Sequence, residues 1–373
     1  MRYYLIAGEP SGDLHGSYLI RAIRAEDPTA EFRGWGGDLM AEAGMELVKH
    51  YRELAFMGVV QVIANLPQIL RNERFCKDDI AAFRSDRLVL IDYSGFNLRI
   101  AKWASPAGFD VSYYISPQVW ASRSGRVKQI RAYVDRMLVI LPFEEAWYRE
   151  RGVTATFVGH PLLDVVQGAQ PQVQRVDQKA VGQPRIALLP GSRKQEISAG
   201  LPVMLAAAAR RPEYAYVIAG APAQHKGFYE EIIATSTVPP TLEIVMNDTY
   251  GLLTTAYAAV VTSGTATLET ALFGVPQVVV YRGNWLAYRI AKWMIANRIK
   301  YISLVNLVMD APVVAELIQH DFTAENLATH LELVTAGPIR ERQLADLSRL
   351  RERLGSGGAA ARAAQLIVDG GKG

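Results

Sequence analysis

Short apolar runs rich in Val, Ile, Leu and Tyr recur along most of the chain, each ending in a polar turn and leading into a longer stretch with helical spacing. Strands of a parallel sheet are buried on both faces and need helical crossovers, so this alternation predicts βαβ units and an α/β fold. In the first half, strands are expected at Arg2–Ala7, Glu31–Trp35, Leu88–Asp92, Val111–Ile115, Met137–Leu141 and Ala155–Val158. A second series begins after Pro184, at Arg185–Leu189, Tyr214–Ala219, Leu242–Val245, Ala258–Thr262 and Gln277–Tyr281. Between the series, residues 167–184 (QGAQPQVQRVDQKAVGQP) are polar and Gln-rich, as a surface linker would be. The expected organisation is two Rossmann-like, doubly wound domains, residues 1–166 and 185–338, with a helical segment over 339–373. Within that segment, Ile339–Leu354 is Arg-rich and amphipathic, and a Gly/Ala-rich stretch, Gly355–Ala364, precedes a last short helix. Such sheets place ligands beyond the carboxyl ends of their strands, and two facing each other imply a cleft.

With 373 residues, half of them hydrophobic and 21% charged, the chain can bury two cores and is globular. Forty Lys and Arg against 37 Asp and Glu leave a net charge of +3, which gives no support to a nucleic-acid partner. That balance suits phosphate-bearing small molecules or a weak attraction to anionic lipid. Cys76 is the single cysteine, so no intrachain disulfide forms, and a reducing compartment is expected. The chain enters a strand at once, and no secretory leader is expected.

Two uncharged stretches are long enough to test as membrane spans. Thr249–Leu268 is too rich in Thr, Ser and Gly, and Leu54–Leu70 is broken by Gly58, Gln61, Asn65, Pro67 and Gln68. The apolar residues of the latter (Met57, Val59, Val60, Val62, Ile63, Leu66, Ile69 and Leu70) are too many for one narrow core stripe, and Arg71, Arg74 and Lys77 follow. They suit either an interfacial helix with a basic fringe or a helix buried on most sides.

Four turns carry residues able to do chemistry. AGEPSGDLHG, residues 7–16, ends the first strand in a carboxylate-bearing turn; Ser11 or Asp13 is placed to cap the following helix, and Gly12, Glu9 and His15 share the loop. Asp92, in LVLIDYSGFNLR, ends an apolar strand where a general base would face a ligand, although an Asx-turn or a cap is the plainer use of the same residue. In LLPGSRKQEI, Gly191 allows close backbone approach, Ser192 can cap the helix, and Arg193 offers a fork of donors near a helix N-terminus that favours anions. TSGTATLE repeats the device, with Ser263, Gly264 and Thr265 at a helix start and Glu269 on a face that can reach a ribose diol. Two such helix starts in one domain suit a nucleoside diphosphate. Ser116 and Trp120 in YYISPQVWA line a candidate pocket, and His160 in VGHP is either a base or a structural histidine. There is no Walker loop, Gly-x-Gly-x-x-Gly, nucleophile elbow or metal-ligand spacing, so ATP hydrolysis, nicotinamide or flavin cofactors, and a metal centre are not indicated.

AGEPSGDLHG, IDYSGFNLR, YYISPQVWA, LPFEEAWY, VGHP, LLPGSRKQEI and SGTATLE, in this order and reaching to about residue 306, closely resemble the lipid-A-disaccharide synthase family. The resemblance implies a GT-B glycosyltransferase fold (family 19) whose C-terminal helical segment returns to the N-terminal domain. It implies transfer from UDP-2,3-diacylglucosamine to 2,3-diacylglucosamine 1-phosphate (lipid X), giving the β-1,6 disaccharide precursor of lipid A and UDP, without a metal or other cofactor. It further implies a peripheral enzyme on the cytoplasmic face of a Gram-negative inner membrane. By position, Asp92 would be the base for the acceptor hydroxyl, Glu9 a second acidic site residue and Arg193 the neutraliser of UDP phosphate. Glu269 would hold the ribose, while Gly191, Ser192, Ser263, Gly264 and Thr265 would line the diphosphate and Asn306 would belong to the nucleotide site. Ser11, Gly12, Asp13, Ser116 and Trp120 fall to the acceptor pocket. The stretch Met57–Leu70 corresponds to an apolar membrane-attachment patch, and the C-terminal helices could be exchanged in a homodimer. The chain departs from the pattern at Val305, where many members have proline, and at Ser122, where a second tryptophan is frequent. A UDP-sugar 2-epimerase could use the same fold, but it needs no apolar patch. A non-catalytic binder would leave Asp92, Glu9 and Arg193 as bystanders.

Overall fold

The computed structural model describes residues 1–54, 66–120, 124–169, 183–283 and 300–370. The chain forms two compact units, one made of Met1–Asp164 together with the chain from Ser356 onward, the other of Val165–Gly355.

The first unit is built on a seven-stranded parallel sheet. Its strands are β1 (Arg2–Ala7), β2 (Glu31–Gly36), β3 (Glu46–His50), β4 (Arg87–Ile91), β5 (Asp110–Tyr114), β6 (Arg136–Val139) and β7 (Ala155–Phe157), in the order β3-β2-β1-β4-β5-β6-β7. The second unit has six parallel strands, β8 (Arg185–Leu189), β9 (Ala215–Gly220), β10 (Leu242–Met246), β11 (Ala258–Thr262), β12 (Gln277–Tyr281) and β13 (Ala315–Ile318), in the order β10-β9-β8-β11-β12-β13. The two orders repeat one doubly wound topology, in which the direction of winding reverses between β1 and β4 and again between β8 and β11. Ligands of such sheets bind at the carboxyl ends flanking that reversal. Register brings the relevant turns together, because Ala7 pairs with Ile91 and Leu189 with Val261 at the ends of the central strands.

Central strands are buried along all or all but the first of their residues, which is why their sequences are near-continuous apolar runs. The strands absent from the sequence reading, β3 and β13, are short sheet edges with half-buried residues (Glu46–His50 and Ala315–Ile318), and an edge needs no such run.

Helix α1 (Pro10–Glu26) buries Leu19, Ile20 and Ile23 against β-strand side chains. It is followed by α2 (Asp38–Glu42), α3 (Leu66–Phe83), α4 (Ser94–Ala104), α5 (Val127–Tyr133), α6 (Glu144–Arg149) and α7 (Leu162–Ala169). The chain passes into the second unit within α7, so residues 167–169 of the expected linker are helical, while 170–182 lie outside the described residues. The second unit carries α8 (Lys194–Ala208), α9 (Lys226–Ala234), α10 (Thr249–Thr255), α11 (Thr265–Leu272), α12 (Leu304–Met309), α13 (Ala324–Thr335) and α14 (Gly337–Arg353).

The C-terminal segment divides between the units. Helix α14 stays in the second, where Gln343 accepts from Gln277 N (2.6 Å) and donates to Gln277 O. Helix α15 (Ala359–Asp369) belongs to the first, its Ala363, Ala364 and Ile367 packing into the core that holds Leu19 and Ile23. Asp164 accepts from the N–H groups of Gly358 and Ala360, Arg362 Nε donates to Val158 O (2.8 Å), and Arg87 Nε donates to Ile367 O (3.2 Å). Helix α15 also begins inside the Gly/Ala-rich stretch rather than after it; alanine is the best helix former, and only the glycines before Ala359 interrupt.

Candidate active site

In the first unit the turns after β1 and β4 interlock. A side chain at Gly8 would put Cβ 2.3 Å from the Tyr93 ring, so glycine is what admits that ring beside the Glu9 turn. Asp92 and Tyr93 both adopt left-handed backbone (φ 44° each), a conformation that costs a non-glycine residue about 1–3 kcal/mol. Buried Asn97 holds the strained turn by donating from Nδ2 to the carbonyls of Ile91 (3.2 Å) and Asp92 (2.9 Å), and the Tyr113 hydroxyl donates to Asp92 O. The motif IDYSGFN is thereby a strained carboxylate and its clamp.

Asp92 lines a cavity of about 260 Å³ with Ser94, Ser116, Gln118, Arg126 and Glu144. Burial raises the Asp92 carboxyl to about 6, with the nearby charge of Glu9 adding to the rise. Glu9 itself is exposed at the N-cap of α1. Glu144 is a second carboxyl in this cavity; it is fully buried, which raises it to about 7. It accepts from Ile140 N (3.2 Å), Leu141 N (2.9 Å) and Trp120 Nε1 (3.2 Å), which ties the loop after β5 to the loop after β6. Ser116 lines the cavity and shares a 2.7 Å hydrogen bond with the Tyr148 hydroxyl. Trp120 does not reach the cavity; it stands behind the wall, edge-on to Phe143, because its N–H is drawn to Glu144.

Other residues of the first motif have structural employment. Glu9, not Ser11 or Asp13, is the N-cap residue of α1, because Pro10 starts the helix and both candidates fall inside its first turn. Ser11 is exposed, while Gly12 packs against Ala7 and Ile91, a Cβ there lying 3.1 Å from Ala7 Cβ. Asp13 is buried and lines neither the cavity around Asp92 nor the one around Glu269. Its carboxylate accepts from Gly37 N (2.8 Å), Leu39 N (3.2 Å) and Met40 N (3.0 Å), so it supplies the cap of α2 from a different helix.

His15 and His160 are buried together. Burial lowers His15 to about 4 and His160 to about 3, the charge of His15 adding to the latter. His160 Nδ1 accepts from Leu162 N (3.2 Å), a structural role. Both folded values lie below the unfolded value of about 6.5, so their stabilisation is complete above that pH and is lost as pH falls toward 4 and then 3. Urea midpoints should fall as pH drops below about 6.5, and the pair His15→Gln and His160→Asn should flatten that slope. A slope unchanged in the double variant would mean that other groups set the acid limit.

In the second unit a cavity of about 500 Å³ opens at the reversal between β8 and β11, lined by Gly191, Ser192, Glu196, Tyr250, Ser263, Gly264, Thr265 and Glu269. Gly191 has φ 106°, which an L side chain adopts only with strain, and its lack of Cβ keeps the turn open beside Glu196. The N-cap of α8 is Arg193, so Ser192 lies one residue before the cap and faces the cavity instead. Glu269 is raised above its ordinary value by burial, partly offset by the Tyr250 hydroxyl, which donates to Oε1 at 2.9 Å.

Two expected site residues lie elsewhere. Arg193 does not line the cavity; its side chain is 66% exposed and pairs with Glu196 Oε1 at 3.3 Å. Asn306 is buried, and internal bonds occupy its amide: Nδ2 donates to Val314 O and Glu316 Oε1 (2.9 Å each), and Oδ1 accepts from Val314 N (2.9 Å). It reaches the cavity only indirectly, since Glu316 also holds Ile302 N and Ser303 N, and Ser263 Oγ donates to Ile302 O at 3.3 Å. Val305 is fully buried beside it, while Ser122 lies outside the described residues.

Of the apolar stretch, Met57, Val59, Val60, Val62 and Ile63 lie outside the described residues, and Leu66 begins α3. Ile69 is half-buried, whereas Leu70 and Phe75 are about half exposed. Lys77 is tied to Glu73 at 2.6 Å, and Arg71 and Arg74 are exposed, Arg74 pairing with Asp78 at 3.9 Å. Among the described residues no helix is long and apolar enough to cross a membrane.

Asn97, Arg126, Glu144, Glu196 and Tyr250 were missed by sequence reasoning. Asn97 and Glu144 sit inside motifs already singled out, IDYSGFN and LPFEEAWY, so their position was a usable signal. Tyr250 and Arg126 stand in unremarkable sequence and acquire meaning only from the cavities that they line.

A family model described as lipid-A-disaccharide synthetase matches residues 3–367. Lipid-A-disaccharide synthase of Syntrophus aciditrophicus is 41% identical over 98% of this chain and 96% of its own, and that of Geobacter metallireducens 39% identical over 99% and 97%. Among solved structures, the glycotransferase of kitacinnamycin superposes with TM-score 0.67 at 16% identity, covering 99% of this chain and 98% of its own. The UDP-GlcNAc 2-epimerase of Methanocaldococcus jannaschii gives TM-score 0.65 at 12% identity over 99% and 100%. Those structural likenesses carry the fold, that of GT-B glycosyltransferases, and not the reaction. The family model and the sequence relatives carry more: this chain belongs to the lipid-A-disaccharide synthase family of hexosyltransferases.

Proposed function

We propose that the protein transfers the diacylglucosaminyl group of UDP-2,3-diacylglucosamine to the 6-hydroxyl of 2,3-diacylglucosamine 1-phosphate in a single displacement that inverts the anomeric centre and releases UDP. The observation that carries this reading is Asp92, a half-buried carboxyl raised to about 6 in a small cavity at the winding reversal of the first sheet. A base works best when its pKa lies near the working pH, and a group at about 6 is ionised at neutrality yet more basic than a solvated aspartate. Asp92 takes the proton of the acceptor hydroxyl, whose oxygen bonds to the anomeric carbon as the bond to the diphosphate breaks. Positive charge grows on the sugar as it does in glycoside hydrolysis, and negative charge grows on UDP.

The second cavity suits the donor. Ser192, Ser263 and Thr265 stand at two helix starts whose N–H groups favour phosphate, and Glu269, held by Tyr250, is placed to accept from a ribose hydroxyl. Arg193 meets the leaving diphosphate by turning from Glu196. Peripheral attachment to the inner membrane is part of the same proposal, supported by exposed Leu70 and Phe75 beside Arg71 and Arg74.

The deciding experiment is UDP release from the purified protein given UDP-2,3-diacylglucosamine, with and without lipid X, and with analysis of the anomeric configuration of the product. Release that requires lipid X and yields a β-linked disaccharide supports the proposal. UDP binding without lipid X-dependent release would sink the substrate assignment.

A further inference from the structure

Backbone strain around the Asp92 cavity is not confined to Asp92 and Tyr93. Ile115, which follows β5 and lines the same cavity, has φ 65°, and a β-branched residue enters that left-handed region only under strain. Such strain persists where the surroundings over-determine the backbone. The pairing of β5 with β6 runs up to this residue, whose N–H donates to Leu138 O at 3.1 Å. Beyond it, side chains of α6 join the loop after β5 to the loop after β6. Glu144 Oε2 holds the N–H groups of Ile140 and Leu141, while Oε1 crosses to accept from Trp120 Nε1 at 3.2 Å. Tyr148, one turn along α6 and fully buried, donates to Ser116 Oγ at 2.7 Å, since the serine hydroxyl itself donates to Pro117 O at 3.0 Å. Capping the turn before α6 accounts for the two backbone bonds of Glu144, but not for a costly buried carboxylate that also reaches a second loop. Both cross-bonds end on residues 115–120, and all of residues 115–119 line the cavity.

We infer that Glu144 and Tyr148 are positioning residues for the acceptor: from α6 they hold the strained loop 115–120 as a wall of the cavity in which Asp92 meets the acceptor hydroxyl. This rests on the proposed function for what the cavity receives. Both residues belong to the motif LPFEEAWY, to which the displacement itself gives no task. Glutamine at position 144 tests the cross-bond at constant size. Its amide oxygen can still accept from Ile140 and Leu141, but its NH₂ group then meets the Trp120 N–H, donor against donor.

The test measures kcat and the KM for lipid X in wild type, Tyr148→Phe, Glu144→Gln, Trp120→Phe and the double variant of Glu144→Gln with Trp120→Phe, with UDP affinity by calorimetry on each protein. Tyr148→Phe should raise the lipid X KM about threefold and Glu144→Gln about tenfold, the worth of one lost hydrogen bond and of one left opposed. In both, kcat should change less than KM and UDP affinity should hold, a split that a general loss of folded structure would not give. Trp120→Phe removes the same cross-bond from its other end, so the double variant should raise KM no further than the larger single effect. A lipid X KM unmoved in Tyr148→Phe or Glu144→Gln, a fall in kcat or UDP affinity in place of a rise in KM, or single effects that multiply in the double variant would each overturn the inference. If Glu144→Gln fails to fold, Tyr148→Phe, which deletes one hydroxyl, carries the test by the same criteria. Failure of wild type to turn over lipid X would instead refute the functional reading on which the inference rests.

Discussion

Asp92→Asn is expected to lower kcat by roughly 10²–10⁴-fold, the contribution of a positioned general base. The amide keeps the size of the carboxyl and leaves the backbone clamp from Asn97 and Tyr113 in place, so the turn should survive and the thermal midpoint should move little. Near-normal turnover in Asp92→Asn would end the assignment of Asp92 as the base. The raised pKa adds a second, independent signature. Asp92 must be ionised to act, and burial and Glu9 hold its protonated form to about pH 6 rather than to an ordinary aspartate value. The acid limb of the kcat/KM profile should therefore fall near pH 6. Glu9→Gln removes a neighbouring negative charge, makes ionisation of Asp92 easier and should move that limb to lower pH. A limb that stays in place, or moves up, would show that a different group sets it.

Arg193→Met is expected to lower kcat/KM about tenfold to a hundredfold, the worth of one charge-assisted hydrogen bond to the charge that develops on the leaving group. This arginine is two-thirds exposed and paired with Glu196, whose carboxylate lines the cavity at the β8–β11 reversal. An exposed pair of this kind is worth little, commonly below about 1 kcal/mol, so a diphosphate can capture the guanidinium without a large penalty. In the proposed reaction the Arg193 side chain would therefore act as a mobile counter-charge and the helix starts as fixed ones. Glu196→Gln should tighten UDP binding modestly, because it removes both a competitor for Arg193 and a negative charge beside the phosphates. Pre-steady-state UDP release in the two variants separates these effects, and an unaltered kcat/KM in Arg193→Met would remove it from the reaction.

Most strands were legible because a buried parallel strand must be apolar along its whole length, and Arg2–Ala7, Arg185–Leu189, Ala258–Thr262 and Gln277–Tyr281 occur where the runs lie. The edge strands β3 and β13 were not, since one free side removes the constraint that makes a strand recognisable. Helix starts were legible to within a residue or two. The identity of the capping residue was not, because it depends on where the backbone first turns; proline at position 10 and the extended backbone of Arg193 moved the caps to Glu9 and Arg193.

What the sequence determined by itself was the fold class, the repetition of one strand–turn–helix device in both halves, and the turns that carry carboxylates or phosphate-ready glycines and hydroxyls. Those properties are local: a strand, a turn and a cap are each written within a few residues. Tertiary structure decided which members of each motif face a ligand. Asp13 and Asn306 turned inward, because three backbone N–H groups of α2 and the 314–316 segment needed partners and a buried polar group must be satisfied. Trp120 moved behind the wall for Glu144. Conversely, Arg126, Glu144 and Tyr250 joined cavities that no spacing announced. The order of strands accounts for the rest. Pairing β1 with β4 and β8 with β11 joins turns that lie more than seventy residues apart in sequence, and the electrostatics that raise Asp92 exist only once burial and Glu9 meet it there.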